Sequence, residues 1–354
     1  MNTKIKDLEV VTAEGGLRVD TNPLGVPTYM IPTNGLRLHS AVEGEGELVI
    51  LIHGWPQCWY VWRHQISFLA DAGYLVCALD QRGYGNSDRP SGVEDYDILK
   101  VTADIVGLAD ALGADRFSVV GQDWGCITAW HVALLYPHRV SGVFGFSVPY
   151  VPKVLRNWVE PSQYRDSFWY TRYFMQPGVA ESELEEDLSR FLMWMWYAAA
   201  GGSDKDVLEI TCGGPKDRKM LDGLGATPTT VRGYSQTDLD YCIELYRKSG
   251  LRGSLNYYRN MARLAELTPW LEEARILPPA MFAYGDDEPA ARRTKDFDAT
   301  LTKSPLETQD EYFAHLIGKV CIADSGHWPM VEKPDVVNRL ILDFLEAVGV
   351  NPSK

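Results

Sequence analysis

Apolar positions follow two rhythms along this chain. Short β-branched and apolar runs predict strands at 27–31, 36–42, 48–53, 75–79, 117–121 and 140–147. Segments with helical spacing lie between them, at 59–72, 98–113 and 124–136. Strands joined through helices of that length need right-handed crossovers, which predicts a mostly parallel sheet. Asn34-Gly35 between the first two runs favours a tight turn, so the chain is expected to enter through an antiparallel hairpin. Two more strands, 280–284 and 319–323, and a helix at 333–347 close the chain, for eight strands in all.

Between residue 149 and about 267 the strand rhythm stops. The stretch is helical in pattern, and from Trp158 to Tyr197 eleven of forty residues are Phe, Trp or Tyr. A helical insertion between sheet strands reads as a cap over one edge of the sheet, with most of these aromatics forming its own core. The expected division is a core of 1–149 and 267–354, beginning with an arm at 1–26, and a cap of 150–266. The acidic run 181–187 reads as the solvated first turn of a cap helix, where the macrodipole favours negative charge.

Composition narrows the function classes. The 354 residues are 45% hydrophobic and 23% charged, ordinary for a globular chain. A net charge of −14 opposes nucleic-acid and anionic-membrane partners. Six scattered cysteines without Cys-x-x-Cys spacing read as reduced core residues. No apolar stretch reaches the length of about 18 residues that spans a bilayer, and a cytoplasmic location is expected. The histidines lack metal-type pairing, so neither a metal nor another cofactor is expected. A homodimer is left open.

The chemistry is concentrated at Gly121-Gln122-Asp123-Trp124-Gly125, between a predicted strand and a predicted helix. The Gly-x-Ser-x-Gly elbow is a strained strand-to-helix turn that lifts a nucleophile above a parallel sheet. Here the nucleophile position holds aspartate. A carboxylate suits displacement at saturated carbon, giving an alkyl ester that water then hydrolyses, whereas serine suits acyl transfer. Opening of a carbon–oxygen or carbon–halogen bond follows. His53-Gly54-Trp55-Pro56 comes directly after the 48–53 strand, where such a sheet places an oxyanion loop. The backbone N–H groups of Trp55 and Trp124 are the expected donors, and His53 is expected to shape the loop. His327, in a loop past the last strand, is the candidate base. The orienting acid should follow the 280–284 strand, where Asp286, Asp287 and Glu288 are adjacent. Glu288 is favoured, with Asp287 as the alternative.

These motifs, together with Asp80-Gln81-Arg82-Gly83-Tyr84-Gly85-Asn86-Ser87-Asp88, Ser325–Trp328 and two cap segments, Tyr170–Glu181 and Arg252–Asn260, resemble the epoxide hydrolases of the α/β-hydrolase fold over most of the chain. The resemblance implies that Tyr170 and Tyr258 each present a hydroxyl to an epoxide oxygen, with Tyr173 and Tyr257 as neighbours easily confused with them. It implies a small hydrophobic epoxide and water as substrates and no cofactor. The family's acid is most often aspartate, so Glu288 departs from its pattern. Pro56, Trp124, Trp169 and His53 are expected around the pocket. A haloalkane dehalogenase would share Asp123, His327 and Trp124 and would need Trp158 or Trp169 as a second halide donor. A haloacetate enzyme would need an arginine beside Asp123, and none is there. A ligand-binding relative without activity would have lost catalytic positions that are intact here.

Overall fold

The computed structural model describes residues 22–152, 158–159, 161, 164–288 and 305–352. The expected arm at 1–26 therefore falls largely outside the described residues. The sheet has eight strands, β1 (Thr28–Thr33), β2 (Leu36–Glu43), β3 (Leu48–Ile52), β4 (Leu75–Leu79), β5 (Phe117–Gln122), β6 (Val140–Phe146), β7 (Ala280–Gly285) and β8 (Leu316–Ile322). Their spatial order is β1-β2-β4-β3-β5-β6-β7-β8. Only β2 runs against its neighbours, pairing antiparallel with β1 and β4 across the hairpin at Asn34-Gly35. Every later pair is parallel.

β3, β4 and β5 are fully buried, which is why they read as continuous apolar runs without alternation. Helices α1 (Arg63–Asp71), α2 (Ile98–Ala111) and α3 (Trp124–Leu135) make the early crossovers. The closing helix, α11 (Pro334–Ala347), packs against α1 and β6. The strand expected at 319–323 begins earlier, at Leu316, because β8 is an edge strand that alternates between half-buried and exposed positions. Its exposure also corrects the expectation for the cysteines. Cys58, Cys77, Cys126 and Cys242 are buried, whereas Cys212 is half-buried and Cys321 lies exposed on β8.

Between β6 and β7 the described chain is helical: α4 (Tyr170–Phe174), α5 (Val179–Leu184), α6 (Leu188–Ala199), α7 (Val207–Thr211), α8 (Gln236–Ser249), α9 (Arg252–Arg259) and α10 (Met261–Leu267). The acidic run is not one solvated turn. Glu181 lies in the first turn of α5 and pairs with Arg259 at 2.7 Å, while Asp187 caps α6. Glu183 accepts from the Tyr173 hydroxyl at 2.6 Å and Glu185 from the Leu251 N–H at 2.7 Å. Glu181, Glu183 and Glu185 tie these helices together, because each has a donor from another segment within reach. Among the described residues no helix is long and apolar enough to cross a membrane.

Candidate active site

Asp123 sits between β5 and α3 with φ 53° and ψ −118°, in the left-handed half of backbone space. A non-glycine residue held there costs on the order of 1–3 kcal/mol, sustained only where the surroundings leave no alternative. The surroundings are tight. A Cβ at Gly125 would lie 2.1 Å from the Ile52 carbonyl oxygen, and one at Gly54 would lie 2.4 Å from the Asp123 Cβ. Both positions need glycine because the β3 loop closes directly onto the elbow. The Trp55 N–H donates to Asp123 Oδ1 at 2.7 Å, and Trp124 is the first residue of α3, where backbone N–H groups lack helical acceptors.

His327 lies opposite, in the loop after β8. Its Nε2 is 3.5 Å from Asp123 Oδ2, and its Nδ1 is 2.9 Å from each oxygen of Glu288, whose side chain is fully buried. Burial alone would lower the His327 pKa, but the charge of Glu288 and the hydrogen bond to Asp123 outweigh it and hold the imidazole at about 10. The neighbouring acids are engaged elsewhere. Asp287 accepts from the Gly202 N–H at 2.9 Å and Asp286 from the Ser325 N–H at 3.2 Å. Asp324 is exposed and paired with Arg232 and Lys333. Of the acids that compete in the sequence, Glu288 is the one at the imidazole.

Tyr170 opens α4 and Tyr258 lies in α9, and their rings meet edge to face at 5.8 Å. Tyr258 also packs on Trp55 at 5.4 Å and Trp124 at 5.1 Å. Burial, reinforced by the Asp123 charge, raises the pKa of both hydroxyls, so each stays neutral across the working pH range. Their sequence neighbours point elsewhere. Tyr173 donates to Glu183 at 2.6 Å, and Tyr257 to the Arg82 carbonyl at 3.1 Å.

Asp123, His327, Glu288, Tyr170 and Tyr258 all line one cavity. The same arrangement of chain has known relatives. The model of the alpha/beta hydrolase fold family matches residues 47–334. Epoxide hydrolase A of Mycobacterium tuberculosis is 38% identical over 91% of this chain and 98% of its own length. Epoxide hydrolase B of the same organism is 33% identical over 88% of this chain and 96% of its own. The solved structure of an epoxide hydrolase from an endophytic Streptomyces superposes with a TM-score of 0.81 at 32% identity, covering 92% of this chain and 96% of that one. The chain belongs to the epoxide hydrolase family.

In this epoxide hydrolase the pocket wall differs in part from the sequence expectation. Pro56 lines the cavity as expected. His53 does not; it is completely buried beneath the loop, where its Nε2 accepts from the Gln81 N–H at 3.1 Å. Its side chain turns back toward β4 because the following Gly54 and Trp55 fill the space facing Asp123. Trp124 is not among the residues lining the cavity; it packs edge to face on Tyr258 at 5.1 Å. Trp169 is also outside: it stacks on Tyr164 at 5.0 Å and donates to the Trp158 carbonyl at 2.9 Å. Trp158 takes the lining position instead. Met195, Ala199, Val207, Leu208 and Thr211, also in the wall, went unrecognised. They sit on helix faces whose sequence pattern resembles any buried face, so no local signal distinguishes them.

Proposed function

We propose that this epoxide hydrolase converts a hydrophobic epoxide to a vicinal diol through a hydroxyalkyl ester on Asp123. The observation that carries the reading is a carboxylate at a strained elbow, facing two neutral tyrosines on one side and an acid-paired histidine on the other. In the first step an Asp123 oxygen forms a bond to an epoxide carbon. The C–O bond opposite breaks, and its oxygen takes a proton from Tyr170 or Tyr258. In the second step His327 removes a proton from water as that water attacks the Asp123 carbonyl carbon. The oxyanion that forms is stabilised by the N–H groups of Trp55 and Trp124. Collapse expels the ester oxygen as an alkoxide, which takes the proton held by the imidazolium; the water's second proton passes from the regenerated Asp123 carboxyl to the phenolate, and the proton given by tyrosine stays on the diol. Glu288 holds the imidazole with Nε2 toward the ester and stabilises the imidazolium.

In this reading residues 150–266 act as the cap that brings Tyr170 and Tyr258 over Asp123 and excludes bulk water. The walls from Val148, Met195, Val207 and Leu208 favour an apolar substituent on the epoxide. Single-turnover hydrolysis in heavy-oxygen water tests the reading. Label should enter the Asp123 carboxylate while the first diol leaves unlabelled; label appearing directly in that diol would refute the ester route. The dehalogenase alternative has Trp158 in the wall on its side. It predicts halide release from a chlorinated alkane, which the epoxide reading does not.

A further inference from the structure

Glu332, at the end of the one-turn helix Pro329–Glu332, has a fully buried carboxylate that the proposed cycle leaves without a role. Its Oε2 accepts from the Gly201 N–H at 2.9 Å and from the Gly326 N–H at 3.0 Å. Its Oε1 accepts from the Trp328 N–H at 3.0 Å. One carboxylate therefore holds the residues on both sides of His327 and, through the same oxygen, the chain just past α6. Hydrogen bonds from N–H groups to a buried carboxylate are about twice as strong as neutral ones.

The two backbones it joins are in direct contact. A Cβ at Gly201 would lie 2.6 Å from the Gly326 nitrogen, and one at Gly326 would lie 2.3 Å from the Gly201 nitrogen. His327 itself donates its N–H to the Ala199 carbonyl at 2.9 Å, and the Trp328 indole donates to the Trp196 carbonyl at 3.1 Å. Arg232 supports the helical side, donating to the Gly201 carbonyl at 3.1 Å while pairing with Asp324. From the sheet side, Gln122 and Ser147 each donate to the His327 carbonyl at 3.1 Å.

We propose that Glu332 is a positioning residue for the base: it locks the histidine loop to the segment after α6, so that His327 is aimed at the ester only while the cap is seated. The proposal rests on the role given to His327 above. It makes ester hydrolysis, and not the preceding attack by Asp123, the step that senses the cap through Glu332.

Glu332→Gln keeps the shape and alters one acceptor. With its remaining oxygen toward Gly201 and Gly326, its amide nitrogen must face the Trp328 N–H, donor against donor. Arg232→Ala loosens the same joint from the partly exposed side. Rapid-quench single turnovers with an aryl epoxide, read by intact-protein mass spectrometry, separate the two steps. In Glu332→Gln, Asp123 alkylation should stay within about twofold of wild type while ester hydrolysis slows roughly tenfold or more, so the adduct accumulates. Arg232→Ala should show the same selectivity with a smaller loss, and it decides alone if Glu332→Gln does not fold. Unchanged hydrolysis, or equal slowing of both steps as general loosening would give, overturns the proposal. His327→Gln serves as the reference. If it accumulates no adduct, the covalent reading falls and the role of Glu332 with it.

Discussion

Replacing Glu288 with glutamine probes the geometry most directly. Both Glu288 oxygens lie 2.9 Å from His327 Nδ1, and the carboxylate itself is closed to solvent. The rise of the imidazole pKa from 6.5 to about 10 amounts to about 5 kcal/mol of preference for the charged ring, at about 1.4 kcal/mol per tenfold. That preference is shared with Asp123, whose charge vanishes once the ester forms. With Asp123 esterified, Glu288 is the charge that opposes burial of the imidazolium, so its loss should slow the hydrolysis step by roughly a hundredfold or more. A glutamine amide that donates to Nδ1 would also shift the ring proton to Nε2, deepening the loss. Stopped-flow tryptophan fluorescence with rapid-quench mass spectrometry should find alkylation nearly intact and the ester accumulating. Asp287→Asn, which disturbs the Gly202 contact and leaves the Glu288–His327 pair in place, should leave hydrolysis within a few-fold. Wild-type ester hydrolysis in Glu288→Gln, or a larger loss in Asp287→Asn, would refute the assignment of the acid.

Three further outcomes follow from the same geometry. Tyr170→Phe and Tyr258→Phe should each slow alkylation by roughly 10- to 100-fold and the double variant by more, whereas Tyr173→Phe and Tyr257→Phe should spare it; single-turnover rates decide. The folded protein holds the His327 proton more tightly than the unfolded chain, so this residue's contribution to stability is full below about pH 6.5 and is lost as pH rises through about 10. Urea melts of wild type and His327→Gln across that window should show the wild-type excess shrinking with rising pH, and a parallel pair of curves would contradict it. Gly125→Ala places a methyl 2.1 Å from the Ile52 carbonyl and should destabilise by about 3 kcal/mol or prevent folding; an unchanged thermal midpoint would show that the elbow is not as tight as described.

How much of this was legible depended on how local the physics is. The fully buried strands β3, β4 and β5 announced themselves as uninterrupted apolar runs, and β4 matches its expected bounds. The elbow was readable because its strain demands glycine at Gly121 and Gly125, which leaves a mark in one short window. The edge strand β8 was cut short because its half-exposed alternation carries less apolar signal. Between Asp287 and Glu288 the sequence could rank but not decide, since which of two adjacent acids faces inward depends on one turn of backbone after β7. His53 was placed at the pocket by its proximity to the oxyanion loop, but its side chain answers to Gln81 across the sheet, a contact no neighbouring residue reveals. The helical wall of the cavity was the least legible. Val207, Leu208 and Thr211 share a short helix whose inward face is chosen by tertiary packing.

The arrangement also bears on why the two steps of the proposed cycle run in order. While Asp123 is anionic, it and Glu288 together hold His327 protonated well above neutral pH. The resting histidine is then a poor base, and its positive charge lies 3.5 Å from the carboxylate that must attack. Ester formation removes one of the two negative charges that face the ring. The remaining balance is between Glu288, which raises the pKa, and burial, which lowers it, so the proton is released more readily at the stage when a base is required. The tyrosines follow the opposite logic: burial keeps them protonated until the epoxide opens, ready to donate at that step. In the proposed cycle, formation of the ester bond is itself what switches the base on. A pH–rate profile for ester hydrolysis alone should accordingly turn over at a lower pH than the titration of His327 in the free enzyme. Coincident values would mean that Asp123 does not control the histidine.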